Sequence, residues 1–128
     1  RRSGRRRGGV RLKVKIFVTA LFTRYFGFLI VLLNFLNIFD TFATMHWVGN
    51  GIAEEANPLM NYLISESSFL FAATKIILVG LGTYLLYRYK SSRASWAALA
   101  SCLIVYLWIM IIHLRIASDE LSFLSQAW

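Results

Sequence analysis

Residues 25–45 read YFGFLIVLLNFLNIFDTFATM, and this stretch decides the fold. A helix of that length covers about 30 Å, the thickness of a bilayer's hydrocarbon core. Within it, or at its edge, lie Asn34, Asn37, Asp40, Thr41 and Thr44. Lipid offers no partner to an amide or carboxylate, so each of these side chains needs one from protein. At 100° per residue, Asn34, Asn37, Thr41 and Thr44 fall at about 0°, 300°, 340° and 280°, with Asp40 at about 240°. The five share roughly one third of the helix circumference. The rest of the surface is Leu, Ile, Val and Phe, so the pattern marks a buried polar face without naming its chemistry.

Two further apolar runs lie downstream. Together the three raise the hydrophobic fraction of the 128 residues to 58% and the mean hydropathy to +0.59, above what a soluble domain of this size carries. The sequence therefore predicts an all-α integral membrane protein with three transmembrane helices, at about 25–45, 69–87 and 94–112. Residues 1–24 form a basic arm, flexible over 1–10, with an interfacial helical lead-in. The membrane domain spans 25–113, and 114–128 form an outer interfacial tail. One unit of this size has no room for a soluble catalytic domain or a nucleotide fold.

The net charge of +8 is unevenly placed. Eight of the fourteen basic residues fall in the first fifteen positions, and loop 88–93 adds three more, whereas the 46–68 connection carries three Glu and no Lys or Arg. The positive-inside rule puts the N-terminus in the cytoplasm. Arg5, Arg6, Arg7, Arg11, Lys13 and Lys15 are placed to meet anionic lipid headgroups rather than nucleic acid. The long apolar run behind them, with no clean small-residue site, does not read as a cleaved signal peptide.

In the outer connection, Gly49, Asn50 and Gly51 break the first helix. Asn57 and Pro58 then start a short interfacial helix, Asn57 as cap and Pro58 in the first turn. Glu54 and Glu55 precede it, where carboxylates favour a helix start. Ser67 or Ser68 caps the next spanning helix. Gly80 and Gly82, with Ala97, Ala98 and Ser101, read as close-packing positions. The lone Cys102 reads as a small packing residue.

Asp40 and Lys75 lie at comparable depths if their helices are antiparallel neighbours, and an ion pair would neutralise both. Such a pair either fixes register or marks a site for a substrate, ion or proton. Asn34 and Asn37 suit interhelical hydrogen bonds or cation coordination. His46 and His113 fall near the outer ends of their helices. They are interfacial polar residues or, alternatively, ligands of a haem or pigment. No spacing suits a metal site, and no nucleophile motif or phosphate loop is present.

Asn37-x-x-Asp40-x-x-x-Thr44, then Glu55-x-Asn57-Pro58-Leu59-Met60, then Lys75, resembles a prokaryotic family of small three-helix membrane proteins known as a domain of unknown function. The resemblance covers roughly residues 30–110. It implies that Asn37, Asp40, Thr44, Glu55, Asn57, Pro58 and Lys75 belong to one shared site, and it implies no activity.

The leading expectation is a small accessory or scaffold subunit of a larger complex in a prokaryotic cytoplasmic membrane, docking by helix packing and its buried polar face. It would have no enzymatic activity and no cofactor. Its partners would be anionic lipids and other membrane subunits or its own copies. The competing expectations are a homo-oligomeric transporter or channel lined by Asn34, Asn37, Asp40 and Thr44, a haem- or pigment-carrying subunit, and, weakest, an intramembrane enzyme using Asp40 and Glu55.

Overall fold

The computed structural model describes the backbone of residues 3–126 and the side chains of 16–125 apart from Val18 and Leu124. The described residues form four helices and no strands: α1 (Ser3–Gly49), α2 (Pro58–Glu66), α3 (Ser68–Arg88) and α4 (Arg93–Gln126). Three stretches, Thr19–Gly49, Ser68–Arg88 and Arg93–Phe123, are long and apolar enough to cross a membrane. This is the build of a multi-pass membrane protein.

Two helices run longer than expected. The backbone of α1 is helical from Ser3, through the segment read as a flexible arm. The chain's single proline is Pro58, and glycines at 4, 8 and 9 weaken a helix by about 1 kcal/mol each without ending it. Likewise α4 continues to Gln126, because nothing after Ala94 is a helix breaker.

The helix ends follow their local chemistry. α1 closes in a Schellman motif: Gly51 N–H donates to Val48 C=O at 3.1 Å and Ile52 N–H to Trp47 C=O at 2.9 Å. Gly51 sits at φ 68°, where a Cβ would be strained. Asn57 caps α2, its Oδ1 accepting from Leu59 N–H at 3.1 Å, with Pro58 in the first turn. Ser67 caps α3 by accepting from Leu70 N–H. Ser92 caps α4, accepting from Ser95 N–H at 3.0 Å.

α1 is the centre of the bundle, packing on both α3 and α4 more extensively than these pack on each other. Its inward seam is Phe26, Ile30, Leu33, Asn37, Asp40, Thr44 and Trp47, spaced alternately by four and three residues. Each of these is buried or half-buried. On α4 the same spacing gives Leu99, Leu103, Tyr106, Met110 and His113, again buried or half-buried. A seam of period 3.5 is what lets two helices keep one line of contact along their length. The half near loop 88–93, the basic end, is an apolar core of Phe26, Leu33 and Leu99, with Trp96 and Leu103 against it. The half near residues 50–57, the acidic end, is polar.

The small residues do not mediate close approach between these helices. A Cβ added at Gly80 or Gly82 would meet nothing within 4 Å. Ala97, Ala98, Ser101 and Cys102 are exposed on α4, because the large seam residues, not the small ones, face α1.

Candidate functional site

The polar site is built on the acidic half of the α1 seam, towards residues 50–57. Asp40, only 3% exposed, is its hub. Lys75 of α3 brings Nζ to 2.7 Å from Asp40 Oδ2. The same ammonium stands 5.0 Å from the centroid of the buried Phe71 ring, one turn earlier on α3, so an aromatic face also offsets its charge. On the other side, His113 of α4 places Nε2 at 2.8 Å from Asp40 Oδ1. One carboxylate thus joins all three long helices.

The protonation of His113 follows from its second contact. Trp47 Nε1–H donates to His113 Nδ1 at 3.1 Å. An indole N–H can only donate, so Nδ1 must be an unprotonated acceptor. The ring proton then lies on Nε2 and is donated to Asp40. In this arrangement His113 accepts at Nδ1 and donates at Nε2, bridging Trp47 and Asp40.

The remaining face residues find partners in order along the seam. Tyr106 Oη–H donates to Asn37 Oδ1 at 3.0 Å, and Thr41 returns its hydroxyl to Asn37 C=O at 2.7 Å. Asn34 donates to Thr83 Oγ1 at 3.0 Å and to Ile30 C=O at 2.9 Å. Thr44 makes only a long 3.5 Å contact to Asp40 Oδ1. Among the described residues no buried side-chain nitrogen or oxygen lacks a partner. These hydrogen bonds and the ion pair tie the face to both α3 and α4.

The loop between α1 and α2 closes against the hub. A cavity of about 280 Å³ is bounded by Asp40, Lys75 and His113 below and by Glu54 and Glu55 above. Glu55 also accepts Asn57 N–H at 2.9 Å, so Glu55, Asn57 and Pro58 act as one helix-start beside the hub. The helix start at Asn57 and Pro58 agrees with the capping chemistry read from the sequence.

His46 stands apart. It is exposed, stacked edge-on against Trp47 at 4.7 Å, with its Nδ1 3.3 Å from the Asn50 side chain. His113 has both ring nitrogens engaged and would have to release one to ligate a haem or pigment. Among the described residues, no group of His, Cys, Asp and Glu is arranged to hold a metal ion. The side chains of Arg5, Arg6, Arg7, Arg11, Lys13 and Lys15, read as lipid-binding, lie outside the described residues.

One family model matches the greater part of the chain. It matches residues 30–119 and is described as a domain of unknown function, DUF5658. The chain belongs to the DUF5658 family. The match covers the whole polar site, including Tyr106 and His113, and leaves out the basic arm and the end of α4. No curated protein and no solved structure matches the chain. Within this DUF5658 protein, sequence reasoning missed Thr83, Tyr106 and the pairing of His113 with Asp40. The available signal was spacing: Leu99, Tyr106 and His113 are seven residues apart, on one stripe of a single helix.

Proposed function

We propose that this DUF5658 protein is a small accessory subunit of a larger membrane assembly, acting by association rather than by catalysis. The observation that carries the reading is the closure of the polar face. Its buried polar groups are satisfied within the chain, so the face holds three helices in register and leaves no open row of polar groups to conduct a solute. Partner contact then falls to the apolar flanks. Phe28, Val31, Phe35, Phe39 and Phe42 of α1 and Ile104, Leu107 and Trp108 of α4 are all at least half exposed. Membrane helices associate through such surfaces by van der Waals packing. The charge distribution supports a cytoplasmic N-terminus; the proposed location is a prokaryotic cytoplasmic membrane. Gentle extraction from native membrane tests the proposal. A stable co-purifying membrane protein is expected, and a chain that elutes alone at every detergent strength contradicts it.

The cavity over Asp40, Lys75 and His113 favours one second reading, a solute or proton site in a transporter. Intramembrane ionisable groups beside a cavity are the usual mark of such sites, and Glu54 and Glu55 stand at its rim.

A further inference from the structure

A second, larger cavity lies at the opposite end of the bundle, where none of the polar-face residues reaches. It measures about 550 Å³, and its walls include Thr19, Thr23, Lys90, Ser91, Arg93 and Trp96. Two cations and three hydroxyl-bearing side chains meet there, and among the described residues no carboxylate lines it. The floor is aromatic: the Trp96 ring meets Phe26 edge-on at 4.8 Å and Phe22 at 5.6 Å. Lys90 is held by the Tyr87 ring, its Nζ 4.1 Å above the centroid. The first turn of α4 opens beside the cavity, capped by Ser92, and the N-terminal end of a long helix favours an anion nearby.

We propose that this cavity binds the headgroup of an anionic phospholipid, its phosphate between Lys90, Arg93 and the hydroxyls and its glycerol end against Trp96 and Phe22. The inference rests on the reading of α1, α3 and α4 as membrane-spanning, but not on the subunit role. Two observations select this occupant. The charge is complementary to an anion and is not balanced by a neighbouring acid. The cavity also lies where the spans end: its α1 residues, Thr19 to Phe26, are the first two turns of the Thr19–Gly49 span, and Lys90 to Arg93 form the turn between two spanning helices. That is headgroup depth, where Trp and Tyr rings and basic side chains collect.

The full chain in mild detergent is examined by native mass spectrometry after mixing with phosphatidylglycerol or phosphatidylcholine. One phosphatidylglycerol should be retained in preference to phosphatidylcholine. Its apparent affinity should fall about tenfold or more in the Lys90→Gln/Arg93→Gln double variant, since each surface cation contributes about 1 kcal/mol to anionic lipid binding. An Arg5→Gln/Arg6→Gln/Arg7→Gln variant should keep the bound lipid. Equal retention of the two lipids by the unmodified chain, or an unaltered affinity in the double variant with unchanged helix content, overturns the proposal. Displacement of the lipid by inorganic phosphate or by an acidic peptide would assign the cavity to that anion and overturn it too. Release of the chain from membranes by alkaline carbonate would refute the spanning reading, an outcome distinct from all of these.

Discussion

Phe26 and Asp40 sit on the same stripe of α1, fourteen residues apart, and both are buried. Around Phe26 the helices meet through Leu33, Leu99 and Trp96. Around Asp40 they meet through an ion pair to Lys75 and a hydrogen bond to His113. In water the first kind of contact would dominate stability. In a bilayer the balance changes, because lipid tails are as apolar as Leu and a phenylalanine gains little by leaving them. The apolar half is held by shape. The polar half is held by the penalty for any register that leaves a charge unpaired. The acidic end therefore specifies the arrangement, and the basic end follows it.

Substitutions at the two ends separate these contributions. The largest effect is expected at Asp40. Asp40→Asn strands the Lys75 ammonium, and removing one partner of a buried pair costs about 3 kcal/mol or more. Folded yield in detergent should fall sharply, and adding Lys75→Met should restore part of it. Equal yields for the two single variants, the double variant and the native chain would show that the pair does not specify the bundle. Phe26→Ala should cost about 2 kcal/mol, the packing portion of a buried Phe truncation, seen as a lowered thermal midpoint without loss of fold. A drop as large as that of Asp40→Asn would reverse the ranking of the two ends.

Smaller substitutions sharpen the picture at the acidic end. Asn57→Ala removes the α2 cap and should cost about 1 kcal/mol, felt as faster amide exchange in α2 with the spanning helices unaffected. Tyr106→Phe removes one interhelical hydrogen bond to Asn37. Such bonds average about 0.6 kcal/mol in a membrane bundle, so only a shift of a few degrees is expected. A loss comparable to that of Asp40→Asn would mean that Asn37, not Asp40, organises the site.

The same contrast explains what could be read in advance. The stripe from Asn34 to Thr44 was legible because one helix sets its own phase. Asp40 with Lys75 was legible because an intramembrane charge demands an opposite one at its own depth. Asn57, Pro58 and Ser67 were legible because capping is local. His113 was read as an interfacial histidine or cofactor ligand, since its role depends on how α4 is rotated against α1. That rotation is set by packing between residues 73 positions apart in the chain. Thr83 and Tyr106 were missed for the same reason: a threonine and a tyrosine in an apolar helix look ordinary until the facing side chains are known. The reach of α1 and α4 past their apolar runs was missed because hydropathy marks where lipid ends, not where a helix does.

The central claim is that the face from Asn34 to Thr44 is closed on itself and serves register, not transport. The most direct test is ion and proton flux in liposomes holding the purified chain alone, with the Asp40→Asn/Lys75→Met variant measured beside it. The account predicts no specific flux above empty liposomes for either protein. A flux carried by the native chain and abolished in the variant would contradict it and make the cavity above Asp40 a transport site.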